Sequence, residues 1–347
     1  MLTRSRVSLF AVSGALALTL AACGGPAASP SPSPSDPAAS AAPSSTAAQS
    51  ATPTPTPTPT STIKPQASLD AITVTGNPGS APTVKVKAPY AVDQTRSKVL
   101  KAGNGPTVPA NGTVDVQYFG VNGRTGQHFN STWRDNKGQP TTFPLDKVVA
   151  GFKKGLEGKK VGDRVLIAMP GADGYDEAGG QPQIGIKVGD TLIFVVDIVG
   201  TQLTGPVGAA VPPKAGLPTV ADKDGKPVIT VPKTAAPTSS VAQPLINGSI
   251  NRKLAADDSI SVHYRSASWK TGKQLEDHYA QPDTGQLAAT IPCWKNGLVG
   301  KNVGSRVLLV CTPKDSFPEG SNNPQIDKGD SVVYVVDILY ASKSPLQ

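Results

Sequence analysis

The chain of 347 residues carries 33 Lys and Arg against 25 Asp and Glu, a net charge of +8, with 34 prolines and 35 glycines. The basic excess is mild and forms no dense runs, which argues against nucleic acid as a partner. Three scattered histidines, His128, His263 and His278, and widely spaced cysteines leave no metal-ligand spacing.

The N-terminus comes first in chain order. Arg4 and Arg6 precede an uncharged apolar run, VSLFAVSGALALTLAA, that ends at Cys23. A basic start followed by a short apolar stretch is the layout of an export signal, and the run is short for a stable membrane span. LAAC, Leu20–Cys23, resembles the bacterial lipobox. That resemblance implies a signal peptide over residues 1–22 and a diacylglyceryl group on Cys23, anchoring the protein on the extracytoplasmic face of the cell membrane. The alternative is an ordinary signal peptide with an incidental cysteine. Residues 24–67 are almost only Pro, Ser, Thr and Ala, including TPTPTPTPT at Thr52–Thr60. Such a segment buries too little apolar surface to offset its ordering entropy. Extended as polyproline II at about 3.1 Å per residue, it reaches on the order of 100 Å from the anchor.

The rest of the chain says the same thing twice. PTVKVKAPYAVDQTRSKVL from Pro82 lines up with PVITVPKTAAPTSSVAQPL from Pro227, and VDVQYFGVNGRTGQHF from Val114 with ISVHYRSASWKTGKQL from Ile260. FKKGLEGKKVGDRVLI from Phe152 then matches WKNGLVGKNVGSRVLL from Trp294, and GDTLIFVVDIVG from Gly189 matches GDSVVYVVDILY from Gly329. The period is too long for a solenoid and long enough for each copy to bury its own core. The expected organisation is a lipidated Cys and linker over 23–67, a first domain over 68–203, a spacer over 204–215, a second domain over 216–342 and a tail over 343–347. Asp197 and Asp337 interrupt the last strands, so no later apolar run suits a membrane span.

Within copy one, Val114, Val116 and Tyr118 alternate to one side of a strand. RVLIAMP and TLIFVVDIV read as nearly continuous apolar strands. Between VDVQY and these two strands, Val148, Phe152 and Leu156 fall four apart, with Val149 alongside and lysines opposite, the pattern of a short amphipathic helix. The fold class is therefore α+β, each copy an antiparallel sheet packed on one short helix. Copy two adds Cys293 and Cys311, the only cysteines besides Cys23. An even pair outside the cytoplasm points to a disulfide, with two buried free thiols as the alternative.

The ordered set VxVxYxG, TGxxF, F-x-L, VVxGFxxGLxGxxVGxR, P-x(4)-Y and GDTLxFxVDI resembles the FKBP family of peptidyl-prolyl cis–trans isomerases. The resemblance runs from 92 to 202 and, more weakly, from 240 to 341. It implies two tandem domains, each a curled sheet around the helix with an aromatic pocket between them. Carried onto copy one, it places the pocket floor at Phe152 and walls at Tyr118 and Phe129. Phe143 and Phe194 lie on strands, Val148 and Val149 precede the helix, and Tyr175 and either Ile184 or Ile186 come from a long loop. Asn130 stands where the family pattern has Asp. Plain core packing is the competing account of these aromatics, most evenly matched at Phe143 and Phe194. In copy two the corresponding residues are Tyr264, Ile291, Trp294, Phe317 and Tyr334, with Leu275 and Glu276 in place of Phe129 and Asn130.

The function this resemblance implies is rotation of X–Pro bonds in exported polypeptides, mainly by copy one, open to macrolide inhibitors and needing no cofactor or metal. The absence of a Ser-His-Asp or paired-carboxylate arrangement agrees with it. Two other readings stand beside it: a catalytically weak binding or chaperone module on the same scaffold, and a surface adhesion protein.

Overall fold

The computed structural model describes residues 63–343 and residue 346. The expected signal peptide, the expected lipidation site Cys23 and most of the Pro-rich linker lie outside the described residues. In copy one, β1 (Ile72–Thr75) and β2 (Thr83–Val86) form a hairpin. A six-stranded antiparallel sheet follows from β3 (Arg96–Lys101), β4 (Thr113–Asn122), β5 (His128–Ser131), β6 (Thr141–Pro144), β7 (Arg164–Met169) and β8 (Leu192–Thr201). Its order is β3-β7-β8-β4-β5, with β6 also paired to β4. A single turn α1 (Thr132–Asp135) leaves β5, and α2 (Ala150–Leu156) lies on one face of the sheet.

Copy two repeats this plan. Its hairpin is β10 (Thr219–Lys223) and β11 (Lys226–Thr230), and its sheet is built on β12 (Val241–Gly248), β13 (Ser259–Ser268), β14 (Gln274–Asp277) and β15 (Asp283–Gln286). The helix α3 (Pro292–Leu298), β16 (Arg306–Cys311), a minimal hairpin β17 (Ser321–Asn322) and β18 (Gln325–Ile326), and β19 (Val332–Ser342) complete it. The repeat read from the sequence is thus a repeat of the fold, and its hairpins are part of it.

Those hairpins explain why the last strands are apolar without alternation. In β8, Leu192, Phe194, Val196 and Ile198 join the helix-side core, while Ile193 and Val195 join a second core on the opposite face with Ile72, Tyr90 and Val92. A strand covered on both faces reads as a continuous apolar run. Copy two has the same second layer, built from Trp269, Leu308, Val310, Val333 and Val335 under the β10–β11 hairpin.

One charged pair sits inside that second layer. Arg164 and Asp197 stand directly opposite on β7 and β8 and are 2 % and 5 % exposed at their side chains. The guanidinium donates from Nε to Asp197 Oδ1 at 2.6 Å and from Nη2 to Oδ2 at 2.7 Å. Nη1 and Nη2 also donate to the carbonyls of Gly76 and Ser80 in the hairpin turn, and Asp197 accepts from the Gly79 N–H. Arg306 and Asp337 repeat the pair in copy two, with Asp222 of β10 and the Tyr279 hydroxyl as further partners.

The 204–215 segment is built into copy two rather than hanging free. Here β9 (Gly208–Ala210) pairs with the edge strand β12, and Leu203 is buried in the helix-side core of copy two. The pairing satisfies backbone groups that an edge strand otherwise leaves open. Leu203 N–H also donates to Leu339 C=O, and the Tyr340 hydroxyl reaches Asp115 of copy one.

Cys293 and Cys311 form the expected disulfide, with Cα atoms 5.6 Å apart. They occupy the positions of Gly151 and Met169 in copy one, where a Cβ on Gly151 would lie 2.4 Å from the Met169 sulfur. The helix-to-sheet contact that copy one makes through a glycine is made covalently in copy two.

Arg164→Ala leaves Asp197 buried without its cation and is expected to lower the stability of copy one by about 3–5 kcal/mol, measured by urea unfolding. Replacing Cys293 and Cys311 together by alanine is expected to cost copy two about 3 kcal/mol, as opening a loop of this size does, read by the same measurement under oxidising conditions.

Candidate functional site

The helix-side face of copy one is not filled. A cavity of about 330 Å³ opens between α2, the sheet and the loop after β7. Six aromatic rings line it: Tyr118 from β4, Phe129 from β5, Phe143 from β6, Phe152 from α2, Tyr175 from the loop and Phe194 from β8. Phe152 is the floor. Its ring meets Phe194 edge to face at 4.7 Å between centroids, Phe143 at 5.8 Å and Tyr118 at 6.1 Å. Such edge-to-face contacts orient aromatic rings, so the cavity has stiff walls.

Local sequence places each wall. The β4 strand turns Tyr118 to the helix side with Val114 and Val116, and Phe119 to the other. Gly120 follows because a Cβ there would lie 2.7 Å from the Phe129 ring. Val148 and Val149 precede α2, Val149 at its N-cap, and both line the cavity mouth. The pattern of apolar positions is thus shared between a helix and the turn before it.

Two hydroxyls enter this apolar space and they differ. Tyr118 donates to Asn130 Oδ1 at 2.6 Å. Asn130 therefore supplies the acceptor that a carboxylate would, without its charge. The Tyr175 hydroxyl has no hydrogen-bond partner among the described residues. Burial pushes both phenols above their ordinary range, and for Tyr118 the neighbouring Tyr175 and Asp135 add to it. Both are neutral donors at physiological pH.

Of the eleven residues expected in this site, the structure brings ten to the cavity wall. Ile186 is the exception: it is 2 % exposed and packs into the core, leaving Ile184 as the aliphatic of the loop. Ile184 ends a single 3-10 turn and Ile186 follows the left-handed Gly185, so only the first faces the cavity. Lys147 and Gln181 also line it and were not expected. Lys147 immediately precedes Val148, which was the available signal.

Copy two brings the same positions together and closes them. Tyr264, Trp294 and Tyr334 are fully buried, with Trp294 edge to face against Tyr264 at 5.1 Å and Tyr334 at 5.4 Å. Ile291, Leu275 and Phe317 pack against this cluster. His278 stacks on Tyr264 at 4.3 Å between centroids and 13° between planes, with Asp283 2.9 Å from its Nδ1. Glu276, in the Asn130 position, accepts from Tyr264 and Ser266. The Tyr334 hydroxyl is buried with no partner among the described residues.

Two stretches of the chain, residues 105–199 and 251–339, match the family described as FKBP-type peptidyl-prolyl cis-trans isomerase. The chain belongs to the FKBP family. It carries that domain twice. Among curated relatives, the chain is 41 % identical over 106 residues to the FK506-binding protein of Streptomyces anulatus, covering 29 % of this chain and 82 % of the relative. It is 37 % identical over 98 residues to the probable FK506-binding protein of Corynebacterium glutamicum, covering 28 % and 78 %. Among solved structures, that of FkpA from Escherichia coli is 30 % identical with a TM-score of 0.28, covering 31 % of this chain and 47 % of that one.

The His278 arrangement carries a pH signature. The Asp283 carboxylate raises the imidazole above its ordinary value, against the opposing effect of burial. A histidine raised on folding contributes stability in full below about pH 6.5, and that contribution fades as pH rises through the folded value. Burial raises Glu276 as well, an effect that begins in the ordinary carboxylate range and has the same sign. Between pH 6 and 8 His278 is therefore expected to contribute a loss of copy-two stability with rising pH, against the opposite contribution of His263, whose imidazole burial lowers. Thermal unfolding of the wild type and His278→Gln across this range checks it: the variant is expected to gain stability relative to the wild type as pH rises, and an unchanged pH slope would remove His278 as a contributor.

Proposed function

We propose that this chain catalyses cis–trans rotation of X–Pro bonds in exported polypeptides, that copy one is its working site, and that lipid on Cys23 holds it to the outer face of the cell membrane. The observation that carries the reading is the cavity of copy one: about 330 Å³, lined by six aromatic rings, with one of its two phenol hydroxyls, that of Tyr175, uncommitted.

The chemistry asks for little more. Resonance sets a barrier of about 18–20 kcal/mol to rotation of an amide, and an X–Pro bond flips unaided in tens to hundreds of seconds. At the top of that barrier resonance is lost and the carbonyl is less polar. An apolar cleft that excludes water favours this twisted state over the planar, hydrated amide, which is catalysis by differential binding. Phe152, Phe194 and Phe129 form the surface on which a prolyl ring rests. Tyr175 donates to the substrate carbonyl and fixes it while the rest of the bond turns. Tyr118, engaged with Asn130, holds the polar end of the cavity in place.

Copy two has the family positions filled by its own side chains, and in this reading it serves as a binding or structural partner of copy one. A second reading, a binding module with little turnover, has one observation in its favour: Asn130 stands where the family pattern carries a carboxylate.

Isomerisation of a Phe-Pro peptide by the chain, followed by exchange NMR, tests the proposal. Turnover blocked by a rapamycin-type macrolide is expected. Phe152→Ala is expected to reduce kcat/KM at least tenfold through loss of the floor, and Tyr175→Phe by about tenfold, the worth of one hydrogen bond made in the transition state. Asn130→Asp is expected to change the rate by less than about threefold, because the acceptor for Tyr118 is already present. A folded wild-type chain without turnover, or a large gain in Asn130→Asp, would favour the binding module.

A further inference from the structure

We propose that Lys147 is a specificity-determining residue of the copy-one site, and that it favours substrates with an acidic residue next to the proline. This rests on the reading of the cavity as a peptide site.

The electrostatics of the cavity wall are one-sided. Among the described residues that line it, Lys147 is the only one with a formal charge; the others are aliphatic, aromatic or amide side chains. Asn130 removes the carboxylate that the family pattern places at the polar end, and its Oδ1 is already occupied by Tyr118. Asp135, whose field reaches the Tyr118 hydroxyl, is exposed, takes the Ser131 N–H and does not line the cavity.

The neighbouring cations are committed elsewhere. On α2, Lys153 bonds Asn111 and pairs with Glu157, and Lys154 pairs with Asp173 at 2.6 Å. Lys147 makes no ion pair among the described residues, and its sequence neighbour Asp146 is exposed and lies off the cavity wall. The Lys147 N–H donates to Pro144 C=O at 3.0 Å, which fixes the turn from which its side chain leaves. A single unpaired cation at the rim of an apolar cleft is felt more strongly than one on open surface, because low-dielectric walls focus its field. The sealed copy two has Ala289 at this position, so the fold itself does not call for a lysine there.

The test uses two pairs of peptides, each pair differing only in Glu against Gln. One pair carries the difference just before the proline and the other just after it. Both kcat/KM and Kd are measured for the whole chain. At low salt at least one pair is expected to favour Glu by about threefold, the size of an exposed ion pair. That preference is expected to shrink towards one at about 0.5 M salt, where such fields are screened. Lys147→Gln is expected to abolish the preference and Lys147→Glu to reverse it. Equal or weaker handling of Glu in both pairs, or a preference untouched by Lys147→Glu, overturns the proposal. Turnover of all peptides without a Lys147-dependent preference defeats this inference alone. A Lys147-dependent Kd difference without turnover defeats the isomerase reading and leaves this inference standing as a binding preference.

Discussion

The rest of the structure depends on the ion pair between Arg164 and Asp197, and on its duplicate between Arg306 and Asp337. Charges buried this deeply are costly, and pairing often does no more than offset their desolvation. Their effect here is on register. Side chains alternate across a strand, so a slip of one residue between β7 and β8 would turn one strand over, carrying its charge into the helix-side core and its apolar residues, Ile167 of β7 or Phe194 of β8, out of it. The pair stands opposite on adjacent strands, and every remaining polar atom is used on the hairpin turn. One side of the sheet is thereby pinned, and the other side, three residues along β8 at Phe194, is held where the cavity needs it.

The two copies show how the same scaffold yields a cleft or a core. The differences come in pairs that touch. Gly120 with Phe129 in copy one becomes Ser266 with Leu275 in copy two; the smaller side chain leaves room for a Cβ, and the Ser266 hydroxyl then bonds Glu276. Gly151 with Met169 becomes the Cys293–Cys311 disulfide. Phe152 becomes the larger Trp294, and Phe194 becomes Tyr334, whose hydroxyl is buried without a partner among the described residues, a free-energy cost. Floor, wall and last strand differ together between the open and the filled copy.

Much of this was legible in the sequence, and the parts that were not share a cause. Gapless repeats located both copies, and side-chain alternation and helical spacing marked their strands and helix, because these are local properties. The aromatic wall was legible only through the family resemblance, which set Tyr118, Phe152 and Tyr175 at three separated positions of its pattern. The hairpin layers were not, although their sequences were seen to repeat, because what they cover is a matter of tertiary packing. Asp197 and Asp337 read as interruptions of apolar strands until Arg164 and Arg306, present in the same repeated blocks, met them across the sheet. Ile186 was placed beside Ile184 in the site, but the left-handed turn at Gly185 separates them, and a turn of that kind hides from periodicity.

The division of labour between the two tyrosines follows from this geometry. Tyr118 has its hydroxyl committed to Asn130, so it can shape the cavity but not greet a substrate carbonyl without giving that bond up. Tyr175 is free, yet it stands on a long loop, and a donor is useful in a transition state only if it is already in place. The loop supplies that. Asp176 takes the Gly189 N–H at the far end of the segment, its own N–H bonds Gly171 C=O, and the Tyr175 carbonyl accepts from Gly180 and Ala178. Gly171 has no room for a side chain, since a Cβ would lie 2.1 Å from Asp176 Oδ1. The loop is thus closed on itself immediately around its one functional hydroxyl, and the proposed reaction needs no group that moves except the substrate.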